Sequence, residues 1–220
     1  MKIVQAPGKP LIGRSKTGEL LMPGYRVNEY LLVLHPHEDL RNRILQVKKN
    51  FSEQYDLRIS SMGKPHISLV NFLQYEMMEE RIIYRLRLTA MGHHAFKIEL
   101  KDFGSFPNHT IFINVTSKPS YQELVKDIRQ QSGQLMKLNA ANRPHFIMEP
   151  YIPLARRLQP HQYEKGWLEY SHKHFSAGFI AEDMLLLKRP EGSNASYQVV
   201  QRFEFMNLPV NTVQGELFGG

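Results

Sequence analysis

The sequence predicts an α+β fold built by duplication, and three observations lead there. The first half carries Pro65-His66-Ile67-Ser68-Leu69 followed by Leu73-Gln74, and the second carries Pro150-Tyr151-Ile152-Pro153-Leu154 followed by Leu158-Gln159. The shared residues recur at one offset, since 150 − 65, 152 − 67, 154 − 69, 158 − 73 and 159 − 74 all equal 85. The order strand–helix–strand–helix–strand also reads twice along the chain. Finally, Leu40 and Ile44 of one helical pattern meet Leu124 and Ile128 of another at an offset of 84. A chain patterned this way folds as two similar lobes facing each other, with the motif strands meeting at the centre.

Each element follows from its own pattern. Residues 1–27 read as an irregular arm, rich in Gly and Pro and without sustained periodicity. Tyr30-Leu31-Leu32-Val33-Leu34 is a short apolar strand closed by His35-Pro36-His37. Leu40, Ile44, Val47 and Phe51 then recur at helical spacing over residues 38–55, an amphipathic helix packed on that strand. The motif strand 65–73 follows, and residues 76–91 predict a helix with Met77, Ile82, Leu86 and Leu88 as core positions. Phe96 to Phe106 alternates as a strand. The second copy opens with the strand Thr110–Val115, broken by Pro119, and a helix marked by Tyr121, Leu124, Val125, Ile128 and Leu135. The Pro150 strand, a helix near 160–173 and strands at 175–187 and 197–206 complete it. The expected organisation is one bilobal domain over 28–207, with lobes of approximately 28–108 and 109–207 and room for exchanged strands, then a flexible tail at 208–220.

Composition narrows the class. With 42% hydrophobic and 22% charged residues among 220, the chain can bury a substantial core and is not disordered as a whole. Zero cysteines exclude disulfides and thiolate metal sites and suit a reducing compartment. The first residues hold no apolar signal region, and no stretch reaches the ~18 apolar residues of a membrane span, so a cytoplasmic protein without membrane contact is expected. The formal charge of +7 suits an anionic partner such as RNA, a nucleotide or a phosphate ester.

On an extended strand, residues i and i+2 point to one face. His66 and Ser68 therefore project together, an imidazole that exchanges protons near neutral pH beside a hydroxyl that can hold a phosphoryl oxygen. Two His-x-Ser/Thr strands brought face to face would supply a base, an acid and two clamps, as in-line attack on a cyclic phosphodiester requires. On Lys64-Pro65-His66-Ile67-Ser68-Leu69-Val70, the strands Tyr30–Leu34 and Thr110–Val115, and Phe175–Phe179 with Leu185–Lys188, the chain resembles the 2H phosphoesterase superfamily, specifically its 2′-5′ RNA ligase and cyclic phosphodiesterase branch. That resemblance spans roughly residues 28–206. It implies a bilobal α+β fold with antiparallel sheets lining a central groove, helices outside, no metal or other cofactor, and an RNA end or nucleotide bearing a 2′-5′ or 2′,3′-cyclic phosphate as partner.

The second motif departs from the family pattern. Tyr151 stands where the second histidine is expected; a phenol titrates near pH 10, so it is a poor base at neutral pH although it can donate a proton. Pro153 offers neither a hydroxyl nor a backbone N–H. A rival registration uses Arg143-Pro144-His145-Phe146-Ile147, but its offset from His66 is 79, position 147 is Ile, and the Leu-Gln pair downstream does not align. Either Tyr151 or His145 therefore completes the site. Arg156, Arg157 and Lys64 are candidate phosphate ligands, and alternation sends one of the two arginines away from the groove.

Two functional classes stay open: a phosphodiesterase or ligase-like enzyme whose activity is weak or lost, and a non-catalytic module binding nucleotide or RNA phosphate in the same groove. The pairs His35/His37, His93/His94 and His172/His174 lack a third ligand at a recognised metal spacing. The methionines are scattered as core filler. Gln214-Gly215-Glu216-Leu217-Phe218 resembles peptides that dock on the bacterial sliding clamp, through Gln214, Leu217 and Phe218.

Overall fold

A computed structural model describes residues 24–57 and 63–209. The first copy runs β1 (Val27–Leu34), α1 (Glu38–Gln54), β2 (Ile67–Tyr75), a 3₁₀ turn at Glu76–Met78, α2 (Glu79–Gly92) and β3 (Phe96–Phe106). The second runs β4 (Thr110–Val115), α3 (Lys118–Ser132), β5 (His145–Phe146), β6 (Tyr151–Arg156), α4 (Pro160–Tyr170) and β7 (Ser176–Ala181), and then β8 (Asp183–Pro190) and β9 (Gln198–Glu204). Two antiparallel sheets result, one ordered β5-β2-β1-β8-β9 and the other β6-β4-β3-β7. Among the described residues, no helix is long and apolar enough to cross a membrane.

The sheets trade strands between the copies. β3 follows the first copy's helix yet pairs with β4, while β8, late in the second copy, pairs with β1. The trade corrects the expected strand at 175–187: it is two strands, separated at Glu182, where the chain leaves one sheet and enters the other. Local apolar patterning cannot reveal which sheet each part of such a segment will join.

Helices cross over in the same way. α1 packs over β6 and α4 over β4, behind the four-stranded sheet, whereas α2 packs on α3 behind the other. Phe51 of α1 meets Tyr170 of α4 edge-on, with ring centroids 4.9 Å apart. Gly166 permits that approach, because a Cβ there would come within 2.8 Å of the Phe51 ring. The apolar sides of both motif strands, Ile67, Leu69, Val70 and Ile152, Leu154, Ala155, are buried. Burying side chains of this size contributes roughly 1.5–3 kcal/mol each for the aliphatic ones, before conformational entropy is set against it. The expectation of a helix from residue 76 with Met77 in the core is corrected. The first turn is 3₁₀, which rotates Met77 to the surface, and Leu88 is only half-buried.

Candidate functional site

The two motif strands lie on their neighbours with one ladder. In the first sheet Leu32 pairs with Val70 and Val33 with Ser68, so Leu69 is the extra residue of a β-bulge. In the second sheet Ile111 pairs with Ala155 and Phe112 with Pro153, so Leu154 is the extra residue. The bulges match at the motif offset, 154 − 69 = 85, and the partner strands match at 111 − 32 = 112 − 33 = 79. Two steps past these pairs, Tyr151 holds in its strand the place that His66 holds just before β2.

The bulge decides which side chains share the groove. Strict alternation after Tyr151 and Pro153 would turn Ala155 and Arg157 to their face and Arg156 away. One extra residue at Leu154 shifts the pleat by one, burying Leu154 and Ala155 together and bringing Arg156 round to Tyr151 and Pro153. The Arg156 guanidinium accordingly lies 5.7 Å from the centre of the Tyr151 ring. Arg157 turns the chain, with φ of 54°. In β2 the same shift puts Asn71 on the face of Ser68, so Asn71 and Arg156 are counterparts.

On the four-stranded wall, Tyr151 joins an aromatic cluster. Its ring centroid is 5.0 Å from Phe112 and 5.2 Å from Phe106. Gly104 lies beneath Phe112; a Cβ there would approach that ring to 2.6 Å, so a flat aromatic floor needs glycine at this point. Pro153 lies on β6, an edge strand of its sheet, the place in a sheet where a proline is tolerated.

His66 is half-buried, and its Nδ1–H donates to the carbonyl of Lys64 at 2.8 Å. That bond fixes the tautomer and leaves Nε2 as a proton acceptor. Burial pushes the imidazole pKa down, against the pull of the Lys64 carbonyl, and the charges of Arg156 and Lys48 push it down further. The ring is therefore neutral at neutral pH, a base rather than an acid. Lys64 contributes its carbonyl, while its side chain is exposed. The Ser68 carbonyl, on β2, shares the Tyr121 hydroxyl with the carbonyl of Ile147, at 2.6 and 2.8 Å, which ties the motif strand to the chain leading into β6.

His145 is not opposite His66. It pairs with Asn71 in the same sheet, exposed on β5, the strand at that sheet's edge. Five strand positions separate residues 66 and 71, about 15 Å at the rise of an extended chain. Of the other histidines, His35 bonds Asp183 at 3.1 Å and His93 bonds Asp127 at 2.9 Å. Among the described residues, no group of three His, Asp or Glu side chains is arranged to hold a metal ion. Gln214, Leu217 and Phe218 lie outside the described residues.

Lys48 escaped the sequence reading. It sits on the buried row of α1 with Leu40 and Ile44, is 6% exposed, and donates to the Gly63 carbonyl at 3.1 Å. Burial, then the charge of Arg156, push its pKa down to about 8. The available signal was a lysine four residues after Ile44, on the face that should be apolar.

Residues 36–193, well over half of the chain, match the model of the 2′-5′ RNA ligase superfamily, and the protein belongs to that family. E. coli LigT in complex with NADP+ is similar, with a TM-score of 0.58 over 82% of this chain and 98% of that one, at 10% identity. TT0787 of Thermus thermophilus gives 0.56 over 81% and 98%, at 17% identity. A structure described as a phosphoesterase gives 0.57 over 83% and 98%, at 12% identity. At such identities the likeness is one of fold. No curated protein matches significantly.

Proposed function

We propose that the groove binds the phosphate of a nucleotide or RNA end, and that hydrolysis of a 2′,3′-cyclic phosphodiester there is slow or lost. The shared ladder carries this reading, because it leaves a tyrosine and a proline where a second histidine and hydroxyl would stand. Neutral His66 can take a proton from attacking water through Nε2. The departing 2′-oxygen then needs a proton, for which Tyr151 is a weaker donor than an imidazolium. Losing one acid or base costs ~10²–10⁴ in rate. Binding is better provided for: Ser68 offers a hydroxyl, Arg156 a fork of N–H donors suited to phosphate, and the Tyr151–Phe112–Phe106 cluster a surface for a base or ribose. E. coli LigT has been solved with 3′-AMP and with phosphate, and both fit this ligand class.

The test compares the protein with E. coli LigT, measuring 3′-AMP binding and turnover of a 2′,3′-cyclic nucleotide in parallel. Binding with turnover at least ~10²-fold below LigT is expected. Turnover within tenfold of LigT would overturn the loss of activity, and absence of binding would overturn the ligand class.

A further inference from the structure

We propose that Lys48 is an anion ligand of this groove, supplying beside His66 and Arg156 the positive charge that the second motif no longer provides. This assignment rests on the phosphate-binding reading above and adds a residue that neither motif contains.

Lys48 is a buried charge with no counter-charge among the described residues. Lys48 makes one described hydrogen bond, to a neutral carbonyl, and the charge that reaches it is that of Arg156, another cation. His66 likewise feels only Arg156 and Lys48. Among the described residues, none of the three forms an ion pair with a carboxylate. Elsewhere the protein does pair its half-buried cations: Lys188 reaches Glu79 at 2.8 Å, and Arg189 reaches Glu29 at 2.7 Å.

Burying an ammonium without an anion is costly, and placing a guanidinium nearby raises the cost. A methionine would fill the same place on α1 without either penalty. The arrangement makes sense if an anion completes it. The phosphoryl group is the anion that the rest of the groove suits: Lys48 and His66 are held by the adjacent carbonyls of Gly63 and Lys64, the charge of Arg156 reaches both, and Ser68 shares the face of His66. Lys48 would then act as a compact point charge beside the planar fork of Arg156.

A purely structural alternative has Lys48 capping the Gly63 carbonyl and holding the approach to the motif strand. Lys48→Met separates the two. As an anion ligand, Lys48→Met weakens 3′-AMP binding at least tenfold by calorimetry, and the variant melts no lower than the parent when phosphate is absent. A variant that melts lower and binds 3′-AMP within twofold of the parent overturns the assignment in favour of capping. Should the variant fail to fold, the parent is read directly by NMR: saturating 3′-AMP must raise the pKa of the Lys48 ε-methylene signal, and an unmoved pKa overturns the proposal. A parent protein that binds no 3′-AMP overturns the groove reading itself, whereas binding that ignores Lys48 overturns only this one.

Discussion

Strands β2 and β6 share a hydrogen-bond register and a bulge, yet show the groove different chemistry. On the helix side the pairs are Ile67/Ile152, Leu69/Leu154 and Val70/Ala155, all apolar and all buried. On the groove side they are His66/Tyr151, Ser68/Pro153 and Asn71/Arg156. Packing constrains one face of each strand, because a change of volume there is felt throughout a close-packed core. Chemistry constrains the other, and there the two halves have parted. The helices repeat the lesson. At the offset of 84, the row Leu40, Ile44, Lys48 faces Leu124, Ile128, Ser132, so a buried cation in α1 answers to a buried serine in α3, whose hydroxyl has no partner among the described residues.

The largest expected effect comes from making the two groove faces alike. Tyr151→His with Pro153→Thr should raise cyclic phosphodiester turnover by ~10²-fold or more, the scale of a recovered acid or base. The scaffold is sound for it, since Ile152 and Leu154 still fix the strand from behind. β6 is an edge strand, so the sheet can accept the N–H regained at position 153. His66→Ala in the repaired protein should return turnover to background. No gain, with an unchanged circular dichroism spectrum, would mean that the halves differ in more than their motifs.

These comparisons mark what the sequence could disclose. The duplication was legible because its apolar and turn residues repeat, and the helix-facing side of each motif strand could be read from alternation. The bulges were not legible: Leu69 and Leu154 look like ordinary strand residues, yet each shifts the pleat and decides that Arg156, not Arg157, shares the groove. The break at Glu182 was hidden for a related reason, since local pattern carries no information about which sheet a strand enters. The burial of Lys48 depends on α1 crossing behind the other copy's sheet, a consequence of topology.

The difference between Lys48 and Ser132 gives the next prediction. A lysine whose pKa falls from 10.5 to about 8 on folding binds fewer protons folded than unfolded between those values. Unliganded stability should therefore rise with pH from about 8 to 10.5, as the cost of the buried charge is relieved, by roughly 3 kcal/mol in all. Tyrosines also titrate at the upper end of this range, so the measurement is a difference: denaturant unfolding of the parent minus that of Lys48→Met at each pH. A flat difference would show that the ammonium is solvated. The same titration makes binding of a phosphodiester, whose own charge is constant there, weaken as pH rises through Lys48's pKa.

The smallest effect is expected at His145, where two histidines of one sheet are compared. His66 has its tautomer fixed by a carbonyl and stands beside Arg156 and Lys48, whereas His145 is exposed on a two-residue edge strand next to Asn71. A proton donor must come within hydrogen-bond reach of the leaving oxygen, about 3 Å, and the strand between these histidines spans about five times that. His145→Ala should thus change both 3′-AMP binding and any residual turnover by less than twofold, while His66→Ala removes the turnover. A tenfold loss in His145→Ala would require the segment between β5 and β6 to carry this ring into the groove, and the second histidine would then be supplied by the approach to the motif strand rather than by the motif.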